Sequence, residues 1–165
     1  MGDAESIPAE DFDAFWRREH VSIVAFAYAL TGSRAAAEDL AQEAFAAAAA
    51  SWASLHNPRA WVRRVVANRA VSGWRRRERE ARALSRLAQQ YDTYALSDDD
   101  ASFWDAVRRL PRRQAQVVAL HYLDDLSVAS IADTLGIAEG TVKATLHRAR
   151  AALAVSLGCD DEDAS

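Results

Sequence analysis

Proline placement constrains this chain more than any other feature. Only three occur in 165 residues, and a proline is tolerated in a helix mainly within the first turn, where its missing N–H costs nothing. Asn57-Pro58 therefore stops whatever precedes it and opens a new helix, and no further proline follows until Pro111. A long helix is expected after Pro58. Its first thirty residues carry ten of the chain's 20 Lys and Arg: Arg59, Arg63, Arg64, Arg69, Arg75, Arg76, Arg77, Arg79, Arg82 and Arg86. On a helical wheel Trp61, Val62, Val65 and Val66 share one side, while Arg64, Asn68 and Arg75 share another. The helix is expected to have a buried stripe and a cationic stripe.

The net charge of −4 hides this concentration. Residues 1–56 carry net −6, residues 57–92 net +7, residues 93–103 net −3, residues 104–157 net +2 and residues 158–165 net −4. A polyanion responds to the local field, so overall acidity does not exclude nucleic acid as a partner. Trp52, Trp61 and Trp74 are interleaved with the arginines, after a short polar loop at Ala53 to Asn57. Cations for phosphates and aromatic faces for bases are what single-stranded nucleic acid binding requires, with stacking contributing ~1–3 kcal/mol per base. A solvated arginine face on a structural helix is the competing reading, and at least one of these tryptophans is expected only to pack.

Other classes are easier to set aside. The single cysteine, Cys159, permits no disulfide within the chain and no cysteine metal cluster. No apolar run approaches the roughly 18 residues of a membrane span. The acidic start, MGDAESIPAEDFD, lacks the apolar core of a secretory signal. A cytoplasmic protein without membrane insertion is expected. His20, His56, His121 and His147 are scattered, no glycine-rich phosphate loop is present, and neither catalysis nor a cofactor is expected. His121 is expected to pack in the core.

Taken in order, Met1 to Ala9 is expected to fray. Phe12, Phe15, Trp16, Val21, Val24, Ala25, Tyr28 and Leu30 then recur at helical spacing up to Thr31-Gly32. Ser33 caps a helix with Leu40, Ala44 and Phe45 toward the core and Glu38, Asp39, Gln42 and Glu43 outside. That acidic and amide patch is either a solvated face or a docking surface. Gln89 to Phe103, with Asp98, Asp99 and Asp100 in succession, reads as a flexible linker. Trp104 to Leu110 forms a short helix, and Pro111 opens another with Val117, Val118, Leu120 and Tyr122 inward. Ser127 caps a helix carrying Val128, Ile131, Ala132 and Leu135, which Gly136 ends. The last helix places Val142, Leu146, Ala149 and Leu153 on one face.

The last two helices, joined at Gly136, have the pattern of a helix-turn-helix. Its second helix would enter a major groove with Glu139, Thr141, Lys143 and Ala144 nearest the bases, leaving Arg148 and Arg150 for phosphates; His147 lies on the same helix. A purely structural helix pair is the alternative.

LTGSRAAAEDLAQEAF, NPRAWVRRVVANRAV, LPRRQAQVVALHYLDDLSVASIADTLG and EGTVKATLHRARAAL, in that order, resemble an extracytoplasmic-function sigma factor of bacterial RNA polymerase, from about Asp11 to Leu153. The resemblance implies an all-α fold of two small helical domains joined by a flexible linker. Residues 10–88 correspond to a region-two-like domain, 89–103 to the linker, 104–155 to a region-four-like helix-turn-helix domain and 156–165 to an acidic tail, with no domain appended. It further implies that Asp39, Gln42, Glu43 and Phe45 dock on core RNA polymerase. The loop Ser51 to Pro58 with Trp61, Arg64, Asn68 and Arg69 would take the single-stranded minus-ten element. Arg75 and Arg76 extend that basic surface, and the second domain would read the minus-thirty-five element as duplex. An anti-sigma partner is implied too. Two departures stand out: Ala138 replaces the usual Ser or Thr cap, and Thr145 replaces a frequent arginine. The rival reading is a helix-turn-helix regulator that binds operator DNA independently of polymerase.

Overall fold

The computed structural model describes residues 10–70 and 98–158, and these are helical with no strand among them. Helix α1 spans Phe12–Thr31 as one continuous element. It starts where the Asp11 carboxylate accepts from the Ala14 N–H at 2.7 Å and ends at Gly32, whose φ of 66° lets its N–H turn back to the Tyr28 carbonyl. Helix α2, Arg34–Ala50, is capped by Ser33 as expected. A short 3-10 turn, Trp52–Ser54, leads to helix α3 over residues 58–70. Asn57 accepts from the Ala60 N–H at 3.0 Å, with Pro58 in the first turn.

Alanine sets the distance between α1 and α2. Ala37, Ala41, Ala44 and Ala48 are fully buried along one side of α2, facing a core that includes Phe15, Ile23, Phe26 and Leu30. Small side chains let the two helices approach closely, and Val62, Val66 and Ala70 of α3 complete this half of the core. Trp61 and Val65 are half-buried at its margin.

Helix α4 spans Asp98–Arg109 and starts six residues before Trp104, where it was expected. The aspartate triplet assigned to the linker lies within α4. Helices α5, Arg112–Tyr122, α6, Val128–Leu135, and α7, Glu139–Leu157, follow the expected order. Ser127 accepts from the Ser130 N–H at 3.1 Å at the start of α6, and Gly136 ends it with φ 65°. Val117, Val118, Leu120, Ile131, Leu135, Val142, Leu146, Ala149 and Leu153 are buried, whereas Val128 and Ile137 are only partly so. Tyr122 departs from expectation: it is 48% exposed, and its hydroxyl accepts from Arg150 Nε at 2.8 Å. A phenol at a helix end keeps its polar tip toward water. His121 is half-buried, with Nδ1 3.1 Å from the Leu126 carbonyl oxygen.

Ala138 supplies no side-chain cap to α7, although its φ of −70° and ψ of 146° are those of an N-cap. Ala138→Ser should raise stability by about 0.5–2 kcal/mol, because the hydroxyl can accept from an otherwise unpaired first-turn N–H. An unchanged urea midpoint would count against this. Thr145 is buried at 6% exposure. It faces inward, away from any groove that α7 could enter.

The two halves, α1–α3 and α4–α7, pack against each other. Their buried apolar residues form one continuous core, and Arg108 Nη1 donates to the Ala29 carbonyl at 3.1 Å near the end of α1. Among the described residues, no helix is long and apolar enough to cross a membrane.

Candidate nucleic-acid interface

Three surfaces gather the residues singled out in the sequence. On α2, Asp39, Gln42 and Glu43 are exposed on one helix face. Phe45 differs: at 3% exposure it is a core residue, set edge-on to Phe12 and Phe15 at 6.5 and 5.9 Å. Its hydrophobic ring gains more from burial under α1 than from solvent, so it supports the α2 face from behind.

On α3, Arg64 and Arg69 are exposed and Asn68 is half-buried. Arg69 Nη1 pairs with Glu43 Oε2 at 2.8 Å, joining this surface to the acidic one. Both partners are at least half exposed, so the pair contributes little stability. Asn68 receives hydrogen bonds from Arg112 at its carbonyl and side-chain oxygens, at 3.1 and 3.2 Å. Arg75, Arg76 and Trp74 lie outside the described residues, as do Met1 to Ala9, residues 71–97, and Cys159 with the rest of the acidic tail.

The loop before α3 lies beside a cleft of about 300 Å³ lined by Glu10, Phe15, Trp52, His56, Asn57 and Arg59, among others. Trp52 packs against Phe12 and Phe15, with ring centroids at 5.4 and 5.0 Å. It is therefore a tryptophan whose ring serves packing. His56 and Arg59 are both exposed; His56 belongs to the loop expected to take the unpaired strand, whereas Arg59 was not among the expected site residues. Only the fold brings them to the same cleft as the N-terminal end of α1.

On α7, Glu139, Thr141, Lys143, His147 and Arg148 are all exposed. The buried residues Val142, Leu146, Ala149 and Leu153 hold the opposite face against the core. The helix thus presents a polar and cationic surface, with Gly136 setting the angle to α6.

One buried electrostatic feature among the described residues was not legible in the sequence. Arg63, one arginine among ten, is 1% exposed. Its Nε and Nη2 donate to the two oxygens of Asp124 at 2.6 and 3.0 Å, and Nη1 donates to Glu19 Oε2 at 3.1 Å. Ser22 Oγ accepts from Nη2 at 3.3 Å. Burial works against ionised Glu19, but hydrogen bonds from Arg18 and Arg63, with the charges of Arg63 and Arg59, outweigh it and hold the carboxyl below its ordinary range. Burial likewise opposes the Arg63 charge, and Asp124 and Glu19 more than offset it, raising its pKa.

Comparisons with known proteins identify the family. The sigma-70 region 2 model matches residues 15–80, and the sigma-70 region 4 model matches residues 100–153. The RNA polymerase sigma-E factor of Streptomyces coelicolor is 31% identical over 159 residues, covering 93% of this chain and 90% of the relative. The chain is an extracytoplasmic-function sigma factor of the sigma-70 family. Similar, too, is the extracytoplasmic-function RNA polymerase sigma factor SigM of Mycobacterium tuberculosis, 33% identical over 156 residues, 89% of this chain and 77% of the relative. Among solved structures, the co-crystal of the sigma factor RpoE with the anti-sigma factor NepR from Bartonella quintana superposes with a TM-score of 0.67 at 27% identity. That match covers 90% of this chain and 99% of the other. In this sigma factor, region 2 accordingly includes α1, α2 and α3, and region 4 the helix-turn-helix of α6 and α7.

Proposed function

We propose that this sigma factor docks on core RNA polymerase through the α2 face of Asp39, Gln42 and Glu43, with Phe45 supporting that face from the core. Region 2 then takes the unpaired minus-ten strand on Trp61, Arg64, Asn68 and Arg69, with Arg75 and Arg76 continuing the basic surface. The cleft beside His56 and Arg59 has the setting for an unstacked base, next to cations and aromatic rings; unstacking costs a few kcal/mol that such a site offsets. Region 4 reads the minus-thirty-five duplex with Glu139, Thr141, Lys143, His147 and Arg148. The protein performs no bond chemistry of its own and works in the cytoplasm, where polymerase and promoter meet. The likeness to a sigma factor solved with an anti-sigma factor supports an anti-sigma partner for this chain as well.

One observation carries this reading: a single chain of this family presents an exposed acidic face on α2 and an exposed cationic helix on its helix-turn-helix. Run-off transcription with core polymerase and a genomic promoter library tests it. Promoter-specific product that requires the added protein is the expected result. Tight binding to a palindromic duplex without polymerase, and no run-off product, would favour an operator-binding regulator. Asp39→Ala with Glu43→Ala should weaken core polymerase binding by up to about tenfold, since exposed ion pairs contribute about 0.2–1 kcal/mol each. Undiminished affinity in the double variant would remove α2 from the docking surface.

A further inference from the structure

Three side chains meet where the end of α5 lies against α7. Arg150 Nε donates to the Tyr122 hydroxyl at 2.8 Å, and the guanidinium carbon lies 5.9 Å from the centre of the Tyr122 ring. Arg150 Nη2 stands 3.5 Å from His121 Nε2. His121 Nδ1 faces the Leu126 carbonyl oxygen at 3.1 Å. A carbonyl only accepts, so in the neutral ring the proton sits on Nδ1 and Nε2 is left to accept from Arg150. One edge of the guanidinium is thus occupied. The other, Nη1, makes no hydrogen bond with a described residue.

The Tyr122 ring is itself held. Phe103 of α4 meets it edge-on at 5.9 Å, and His121 does so at 4.9 Å. The position of Arg150 gives this support a purpose. Lys143, His147 and Arg150 recur at spacings of four and three, so they form one stripe of α7, and all three are exposed. At about 1.5 Å of rise per residue, Arg150 stands roughly 10 Å further along the helix than Lys143. The N-terminal end of such a helix enters the groove, which leaves a cation one and a half to two turns on within reach of the sugar-phosphate backbone. All of these contacts lie among α4, α5 and α7, so they do not depend on how the two halves are arranged.

We infer that Tyr122 is a positioning residue for promoter recognition, holding Arg150 so that the free edge of its guanidinium takes a backbone phosphate flanking the minus-thirty-five element. This rests on the proposed function, in which α7 reads the duplex. The hydroxyl touches no DNA; it fixes the donor that does. A long arginine side chain free in water loses rotamer freedom when it binds, and ordering it in advance removes that cost. Arginine suits the task because its planar fork can give Nε to the phenol and still present Nη1 to a phosphate oxygen.

A double-mutant cycle in DNA binding tests this. Holoenzyme assembled from core polymerase and each full-length variant is titrated with a fluorescein-labelled promoter duplex recovered by run-off, kept cold so that the strands stay paired. Arg150→Ala should weaken binding about five- to tenfold and make the slope of log affinity against log salt shallower by about 0.9, the value for one phosphate. Tyr122→Phe removes only a hydroxyl, from a residue that is 48% exposed. It should weaken wild-type binding about two- to fivefold and leave the binding of Arg150→Ala unchanged, because no guanidinium remains to be held. Tyr122→Phe binding as tightly as wild type, an equal loss in both backgrounds, or an unaltered salt slope in Arg150→Ala would overturn the assignment. A tie that serves stability alone would lower the thermal midpoint of Tyr122→Phe and leave promoter affinity untouched, which overturns it as well. Those results would leave the sigma reading standing, since its own failure appears as absent polymerase-dependent run-off with the wild-type protein.

Discussion

Replacing Arg63 with alanine lowers the stability of the full chain by about 3–5 kcal/mol, because the loss strands the Asp124 carboxylate that the fold has already taken out of water and leaves buried Glu19 with Arg18 and Arg59 alone. The Glu19 side chain is 7% exposed and that of Asp124 5%. The wild-type arrangement supplies each with a charge-assisted hydrogen bond. The effect should depend on pH with a definite sign. A carboxyl whose folded pKa is depressed contributes stability above its ordinary value and loses that contribution as pH falls through the folded one. Glu19 is such a group. Arg63 has a raised pKa, so its own contribution is present at every pH below the ordinary arginine range. The gap between wild type and Arg63→Ala should therefore be widest near neutrality and narrow in acid, below the ordinary glutamate range. Urea unfolding at a series of pH values measures it, and a gap that stays constant into acid would rule out the Glu19 part of this account.

The second large effect is functional. Lys143→Ala combined with Arg148→Ala should reduce promoter engagement by close to 100-fold at limiting sigma factor, about 2–3 kcal/mol for two contacts to duplex DNA. Both side chains are exposed on α7, so the fold and the binding of core polymerase should persist. If both cations meet phosphates, the slope of log affinity against log salt should become shallower by about 1.8, at roughly 0.9 per phosphate contact. If one of them reads a base instead, the slope should change less and the preference at that position of the minus-thirty-five element should relax. Run-off from a library randomised over that element reads both outcomes. Full activity of the double variant would exclude α7 as the duplex-reading helix.

The local signals in the chain were legible because they act over a few residues. Ser33 and Ser127 accept from N–H groups three residues on, Asn57-Pro58 opens α3, and Gly32 and Gly136 take the left-handed turn that a side chain would oppose. The buried faces of α6 and α7 followed from periodicity, since one side of each helix must leave water. The exposed residues on α2 and α7 followed as the complement of those faces. Where the chain departs from expectation, the acidic helical segment at Asp98 has the composition of a linker, and Tyr122, which follows the core period, keeps its polar tip toward water.

What the sequence by itself determined is the order of helices, their caps, the sigma-70 resemblance and the surfaces that carry charge. Tertiary structure alone decided that Arg63 is buried, that Phe45 stands behind the α2 face, and that Asn68 meets Arg112 across the two halves. The physical reason is range. Caps and periodicity are settled by neighbours within a turn or two. The partners of Arg63, by contrast, lie 44 and 61 residues away in the chain, and only the closed packing of both halves brings those carboxylates to one guanidinium.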